Sequence, residues 1–288
     1  MFPLSISKLP VVICFLCLLM ACGDRGDSIS NHTRKAKDHV ELTPSFQALL
    51  DSIHVEGSIL IYDPEKHVYY SNNFQWARQG QLPASTFKIP NSIIALETRI
   101  VENEEVNIPW DGTRRSVENW NQDLSFKDAF AYSCVPCYQG FVREVGPDRM
   151  RQFISKLKYP GISFQDEEID MFWLQGESHI NQFEQIEFLR RFRENELPIS
   201  AKTSEILRNI MLIDTTDSYI LSGKTGWSIS GEKNNGWFVG FAEADEKVLY
   251  FATNIEPKEG TPIEAFIKGR RSLTEAALMQ HGWSQNSK

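Results

Sequence analysis

The stretch QLPASTFKIPNS, residues 81–92, marks the point at which strand-like sequence gives way to helical sequence. It places Ser85 three residues before Lys88, and an apolar run follows that is typical of a helix ending near Arg99. A lysine is strongly hydrated and costly to bury. One interpretation is that Ser85 caps the helix, as serine often does, and that Lys88 points into solvent. The other is that both belong to a reactive site, and the rest of the chain has to distinguish the two.

Strand patterns occur at both ends of the chain. Residues Gly57–Asp63 and His67–Asn72 form a predicted hairpin, because two β-rich runs are separated by the short turn sequence PEK. Three further strands are predicted at residues 219–228, 236–245 and 247–256. Strands at both ends that bracket a helical middle predict one antiparallel sheet assembled from both ends of the chain.

The middle of the chain has apolar residues at helical spacing. The helices predicted after the one at Ser85 are residues 124–145, broken or tightened near Pro136, then Asp148–Lys158, Phe183–Glu194 and Ser204–Ile213, with a closing helix from about Pro262 to Gln280. We therefore predict an α/β fold of the α+β type. Terminal helices flank the sheet, and a mostly helical subdomain of about residues 85–213 is inserted.

The first residues are typical of an exported protein. One positive charge precedes an apolar run that is too short to span a membrane, so residues 1–21 are predicted to be a signal peptide. The end of this run, LMAC, resembles a bacterial lipobox, which implies a lipid on Cys22; the alternative is an ordinary signal peptide cut nearby. We therefore predict a periplasmic, membrane-anchored lipoprotein with a tether at residues 22–40 and a single domain at residues 41–288.

Charge and residue spacing exclude several kinds of partner. The formal net charge is −8 at pH 7, which argues against nucleic acid or an anionic membrane surface. Membrane contact is expected only through the lipid on Cys22. Two Cys-x-x-Cys pairs occur, but Cys14 and Cys17 leave with the signal peptide, and the six histidines lack metal-site spacing. No metal is predicted.

Cys134 and Cys137 are the cysteines that remain beside Cys22 after export. They lie in an apolar segment and are expected to be buried thiols. A disulfide between them is the alternative in an oxidising compartment, although the i,i+3 geometry of a helix would strain it.

Three motifs occur in an order that is hard to obtain by chance. Ser85-x-x-Lys88 comes first, Ser133 follows within the sequence YSCV, and the run KTG at residues 224–226 lies on a predicted strand. Taken singly, each has an ordinary explanation, such as a helix serine or a lysine at a strand edge. Together they match the elements of penicillin-recognising serine enzymes.

The sequence resembles the class D serine β-lactamases, the oxacillinase family, over nearly the whole mature chain. The resemblance is carried by PASTFKIPNS at residues 83–92, WDG at 110–112, WNQD at 120–123, SCV at 133–135, FWL at 172–174 and KTGW at 224–227. Val135 is the class D feature, since class A relatives have asparagine at that point. The family implies the serine β-lactamase fold and hydrolysis of β-lactam antibiotics, small molecules, through a covalent acyl-serine.

The resemblance implies roles for the residues around the first motif. Ser85 would be the acylated nucleophile, and Lys88 the general base for acylation and deacylation after carbon dioxide carboxylates its side-chain nitrogen. No other cofactor is implied. An apolar pocket favours the neutral amine, which is the form that attacks carbon dioxide. Phe87 and Val135 would keep water from this base, and Trp173 would donate its indole N–H to it.

The resemblance also implies how charge and protons are handled during the reaction. The backbone N–H groups of Ser85 and Trp227 would form an oxyanion hole. Ser133 and Lys224 would pass a proton to the β-lactam nitrogen as it leaves.

Substrate binding is implied for the same strand and for the last helix. Thr225 and Gly226 would contact the substrate. Thr225 and Arg270 would hold the substrate carboxylate, and arginine suits this task because it binds carboxylates in a bidentate manner. Arg271 is the alternative arginine.

One segment departs from the family pattern. The family usually has Tyr/Phe-Gly-Asn near the start of a loop close to the catalytic lysine, whereas this chain has Tyr159-Pro160-Gly161. Pro160 fixes φ and removes a donor. Tyr159 is either a site residue or a packing aromatic, and Trp110 and Trp120 are expected in the core rather than in the site.

Three rival functions share these motifs. A β-lactam sensor domain would remain acylated, a D,D-peptidase would cleave cell-wall peptide, and a lipoprotein binding module would have an unreactive site. Sensors usually carry further membrane-spanning segments, and no such segment is predicted after residue 22. Val135 and the short single-domain length count against the peptidase.

Overall fold

The computed structural model describes residues 38–215, 219–244 and 246–283. The predicted signal peptide, Cys22 and most of the predicted tether lie outside these residues. The strands are β1 His39–Leu42, β2 Val55–Asp63, β3 Val68–Ser71, β4 Asn107–Ile108, β5 Leu124–Ser125, β6 Leu212–Thr215, β7 Ile220–Ser230, β8 Lys233–Ala244 and β9 Lys247–Pro257. The helices are α1 Pro44–Ser52, α2 Phe74–Ala77, α3 Lys88–Glu97, α4 Phe126–Ala131, α5 Val135–Val145, α6 Pro147–Leu157, α7 Gln182–Arg193, α8 Ala201–Met211 and α9 Ile263–Gln280. None of these described helices has the length and apolar character needed to cross a membrane.

Seven of these strands form one sheet, in the order β1-β3-β2-β9-β8-β7-β6. Neighbouring strands are antiparallel, except that β1 and β3 are parallel. β2, from the first part of the chain, pairs with β9 from the last part and places Ile59 opposite Thr253. The predicted antiparallel sheet from both ends of the chain is therefore confirmed, with β1 as a parallel addition at one edge.

Helices cover both faces of the sheet because its central strands are apolar on both sides. Adjacent residues of a strand point to opposite faces. On β8, Trp237 packs with the core of the helical middle, whereas Phe238 packs with α1 and α9 residues such as Phe46 and Phe266. The inserted helices α3–α8 and the flanking helices α1 and α9 therefore have separate cores on opposite sides of the sheet.

Several boundaries differ from the predictions; for example, α8 begins at Ala201 rather than at Ser204, and two other differences concern the tether and the site. β1 begins at His39, so residues 39 and 40, which we predicted as tether, belong to the sheet. The helix predicted over residues 124–145 is two helices, and the break falls at residues 132–134, just before Pro136. Proline in the first turn of a helix loses no hydrogen bond, so Pro136 helps to start α5. As a result Ser133 lies in a connecting loop rather than in a helix.

Candidate active site

The Ser85–Lys88 stretch enters α3 through a tight turn. Residues Ala84–Phe87 form one turn of 3-10 helix, and α3 begins at Lys88. Ser85 therefore does not cap α3, and its Oγ instead accepts a hydrogen bond from Lys88 Nζ at 3.1 Å. Lys88 is 1% exposed and Ser85 is 8% exposed. The interpretation of Lys88 as a lysine that points into solvent is wrong.

One aromatic ring lies near the Lys88 amine, and the residue before Lys88 belongs to an aromatic stack. Lys88 Nζ lies 5.0 Å from the centre of the Tyr138 ring. The preceding residue, Phe87, stacks on Trp173 with 6.0 Å between the ring centres. Burial, with a smaller effect of the Lys224 charge, lowers the pKa of Lys88 well below its ordinary value. This environment favours the neutral amine.

The Trp173 side chain brings an unpaired donor to the same region. The residue is buried, and its indole N–H has no hydrogen-bond partner in the described structure. Its backbone carbonyl accepts a hydrogen bond from Ala84 N at 2.8 Å, which ties Trp173 to the turn that carries Ser85. A buried donor without an acceptor is costly, so an acceptor in this pocket would stabilise the site.

Lys224 on β7 meets Ser133 from the loop before α5. Its Nζ donates a hydrogen bond to Ser133 Oγ at 2.5 Å. Lys224 is buried, and burial followed by the Arg270 charge lowers its pKa to about 7. The second and third sequence motifs are therefore joined through a lysine that can change protonation state near neutral pH.

β7 packs closely against the turn that carries Ser85. A Cβ on Gly226 would lie 3.2 Å from Thr86 Cγ2 and 3.3 Å from the carbonyl oxygen of Pro83. A side chain at this position would require the turn to shift by a few tenths of an ångström, so glycine suits the close approach of the strand. Trp227 is 37% exposed, so its indole stands at the surface while its backbone belongs to β7.

The two arginines of α9 differ in their contacts. Arg270 is buried, and its Nη1 donates to the carbonyl oxygen of Gly226 at 2.6 Å, while burial lowers its pKa to about 10. Arg271 has a side chain that is 42% exposed and pairs with Glu275 at 2.6 Å. Arg271 also lines a cavity of about 310 Å³ together with Lys224. Both arginines therefore reach the region of β7, but Arg270 contacts the strand directly.

The other residues singled out in the sequence differ in their burial and contacts. Val135 is the half-buried first residue of α5. Tyr159 is buried and packs its edge on Phe87 with 5.6 Å between ring centres, and its hydroxyl has no hydrogen-bond partner among the described residues. Trp120 packs against the core as expected, but Trp110 is 38% exposed, so its placement in the core is wrong.

Cys134 and Cys137 form a disulfide, which corrects the expectation of two free thiols. The expected strain assumed that both residues belong to one helix. Cys134 instead precedes α5 as its N-cap, with φ −55° and ψ 100°, and the two Cα atoms are 5.4 Å apart, a usual separation for a disulfide. The signal in the sequence was Pro136, which favours the start of a helix between the two cysteines. Within the described residues, no group of three or more His, Cys, Asp or Glu side chains is placed to hold a metal ion.

Comparison with known proteins agrees with this geometry. A family model described as the penicillin binding protein transpeptidase domain matches residues 56–270. Over 225 residues the chain is 37% identical to β-lactamase OXA-48 of Klebsiella pneumoniae, an alignment that covers 78% of this chain and 83% of that protein. The chain belongs to the class D serine β-lactamases.

Solved structures similar to this class D β-lactamase include other β-lactamases of the class and a penicillin receptor. The crystal structure of the class D β-lactamase YbXI from Nostoc aligns with a TM-score of 0.79 at 39% identity, over 85% of this chain and 100% of that chain. The C-terminal domain of the Bacillus licheniformis BlaR penicillin-receptor aligns with a TM-score of 0.78 at 25% identity, over 86% and 98%. The predicted fold, family and enzyme class are confirmed, and a penicillin receptor shares the fold.

Proposed function

We propose that this class D β-lactamase hydrolyses β-lactam antibiotics through an acyl-enzyme on Ser85. The observation that supports the proposal most directly is the 3.1 Å hydrogen bond between Lys88 Nζ and Ser85 Oγ in a pocket that favours a neutral amine. A serine hydroxyl is a weak nucleophile until a neighbouring base takes its proton. Lys88 is within reach of that proton, and we assign it as the base.

Carbon dioxide would complete this base by carboxylating Lys88 Nζ. A bond would form from Nζ to the carbon while one amine proton leaves to water, which would give an anionic base beside Ser85. Two features of the pocket fit it. Burial favours the neutral amine, which is the form that reacts with carbon dioxide, and the buried indole N–H of Trp173 lacks an acceptor. Trp173 would donate to the anion, while Phe87 and Val135 would limit the access of water.

Residues of the Ser85 turn and residues of β7 would then act in different steps of the reaction. Ser85 Oγ forms a bond to the β-lactam carbonyl carbon, and the bond from that carbon to the ring nitrogen breaks. The backbone N–H groups of Ser85 and Trp227 stabilise the oxyanion. The leaving nitrogen needs a proton, which we assign to the hydrogen-bonded pair Ser133 and Lys224. Water activated at Lys88 finally cleaves the ester on Ser85.

The strand β7 and helix α9 would bind the substrate carboxylate. Lys224 and Arg270 are cations with little exposure to solvent, and a buried cation interacts strongly with an anion. Arg270 has donors beyond the one that contacts Gly226, so it can bind a carboxylate beside Thr225. Arg271 is the alternative.

We propose a membrane-anchored periplasmic location through a lipid on Cys22, which rests on the LMAC sequence. The change Cys22→Ser should move the protein from the membrane fraction to the soluble fraction and leave β-lactam hydrolysis intact. A wild-type protein that is already soluble after fractionation would show that the lipid anchor is wrong.

Intact mass spectrometry after mixing with a penicillin tests the proposed function against its rivals. We expect an adduct on Ser85 that forms and then disappears as the penicillin is hydrolysed. The similarity to a penicillin receptor makes a sensor the main alternative, and a sensor would keep the adduct. Slow turnover with cleavage of a cell-wall peptide would indicate a peptidase, and the absence of any adduct would indicate an unreactive binding module.

A further inference from the structure

The Cys134–Cys137 disulfide closes the loop that carries Ser133. α4 ends at Ala131 and α5 begins at Val135, so the bridge joins this short loop to the first turn of α5. Neither sulfur takes part in the chemistry proposed above. The bridge therefore has no role yet in the site that it adjoins.

The loop holds Ser133 in an unfavourable backbone conformation. Its φ is 54°, in the left-handed region that residues with a side chain rarely adopt. Ser133 N donates to the carbonyl oxygen of Phe130 at 3.1 Å, and Cys134 N donates to that of Ala129 at 2.9 Å. These bonds fix the loop relative to α4. A strained conformation persists only where its surroundings hold it, so the other end of the loop must be held as well.

The N-cap of α5 is a weak one without the bridge. Cys134 Sγ accepts the hydrogen bond from Cys137 N at 3.3 Å. Helices usually use the oxygen of Ser, Thr, Asp or Asn for this purpose, and sulfur is a poorer acceptor than oxygen. The covalent bond joins the same two residues and therefore supplies the attachment that the weak cap does not.

The position of Ser133 matters because its partner comes from another part of the fold. Ser133 Oγ is 2.5 Å from Lys224 Nζ, which is carried by β7 and buried. Misplacement of a reacting group by about 1 Å can slow a reaction by about 10²-fold. A loop free to relax from φ 54° would move Ser133 away from Lys224.

We propose that the Cys134–Cys137 disulfide is a positioning element of the reaction, which holds Ser133 Oγ at Lys224 Nζ for proton delivery to the leaving nitrogen. This proposal rests on the function proposed above. The half-buried Cys137 lines a cavity of about 320 Å³ together with Trp110, so a small dithiol can reach it. Two electrons and two protons pass from the dithiol to the bridge, which becomes two thiols while the dithiol closes to a cyclic disulfide.

The test compares acylation and deacylation rates of the oxidised and the reduced protein. Dithiothreitol is the reductant, and a gain of two hydrogens on the peptide that contains both cysteines verifies the reduction. We expect acylation by a chromogenic β-lactam to slow roughly tenfold. Deacylation should not change, because the ring nitrogen has already left when the acyl-enzyme forms. Reoxidation should restore the acylation rate.

The variant Cys137→Ser is the second arm, because it removes the bridge and leaves the Sγ cap of Cys134 as it is in the reduced protein. It should acylate as slowly as the reduced protein and should not respond to dithiothreitol. An unchanged acylation rate after verified reduction would overturn the proposal, and so would equal losses in both steps, which indicate general loosening of the fold. The absence of an adduct on the oxidised wild type would contradict the proposed function itself, and this is seen before any reductant is added.

Discussion

Lys88 and Lys224 lie in two differently built parts of one cleft. Lys88 begins α3 and donates to Ser85 Oγ, whereas Lys224 lies on β7 and donates to Ser133 Oγ. Each amine also lies near one aromatic ring, at 5.0 Å from that of Tyr138 for Lys88 and at 5.5 Å from that of Phe130 for Lys224. Burial is the main cause of the lowered pKa of both lysines, but the second cause differs: the Lys224 charge acts on Lys88, and the Arg270 charge acts on Lys224. Two residues of the same type therefore take different proposed roles, Lys88 as a base and Lys224 as a proton carrier, because their surroundings differ.

To distinguish the roles of the two lysines, the largest change in rate is expected from Lys88→Ala. Deacylation should fall by roughly 10²-fold to 10⁴-fold, because a positioned base contributes on that scale. A penicillin should then remain on Ser85 as a persistent adduct in intact mass spectra. Ser85→Ala is the control and should form no adduct. A Lys88→Ala protein that turns over at the wild-type rate would remove Lys88 from the mechanism.

A smaller effect is expected from Trp173→Phe. This change keeps a ring to stack on Phe87 and removes the indole N–H together with part of the buried ring volume. Loss of one hydrogen bond to a charged group should reduce the turnover rate roughly 30-fold at low bicarbonate. Added bicarbonate should restore part of the rate by mass action, as measured by steady-state hydrolysis. A loss that bicarbonate does not change would mean that Trp173 acts only through packing.

The pH dependence of the rate reports the other lysine. In the free protein the Lys224 ammonium loses its proton as pH rises through about 7, so the proton-carrying form is present below that pH and lost above it. We expect kcat/KM to fall roughly tenfold per pH unit above this value. A bound carboxylate favours the charged lysine, so the corresponding fall in kcat should occur at higher pH. A kcat/KM profile that stays flat into the alkaline range would contradict the role of Lys224.

The smallest effect is expected from Arg270→Ala. The contact with the substrate carboxylate exists in the ground state and in the transition state, so KM should rise roughly tenfold with little change in kcat. Arg271→Ala is the matched comparison and should be nearly silent, because that side chain pairs with Glu275. A raised KM for Arg271→Ala with no change for Arg270→Ala would assign the carboxylate contact to Arg271 instead.

The sequence predicted the fold well because its signals are local and periodic. The hairpin of β2 and β3, the three strands β7–β9 and the closing helix α9 follow from apolar patterns. Motif spacing similarly identified Ser85, Lys88 and Lys224, whose roles remain predictions. What the sequence did not reveal depends on backbone geometry or on distant contacts. Periodicity says nothing about the positive φ of Ser133, and it does not reveal that Gly226 lies against the Ser85 turn.

The disulfide also shows that a prediction from residue spacing depends on the backbone geometry that is assumed. The spacing of Cys134 and Cys137 implied strain only under the assumption of a continuous helix. The helix begins after Cys134, so the premise failed although the geometric argument was sound. Exposure of Trp110 was missed for a related reason, since an aromatic residue in a motif carries no sign of which way its loop faces.

The pairing of β2 with β9 has a consequence for the order in which the molecule assembles. Val55 lies opposite Pro257, so the centre of the sheet joins segments separated by most of the domain. Closing such a long loop costs entropy before any contact rewards it, and topologies of high contact order fold slowly. The Ser85 turn packs on Gly226 of β7. During synthesis the N-terminal part of the chain emerges first, so Ser85 is present long before the strand that completes its pocket. Reactivity at Ser85 is thus a property that the chain acquires only when its last strands are in place.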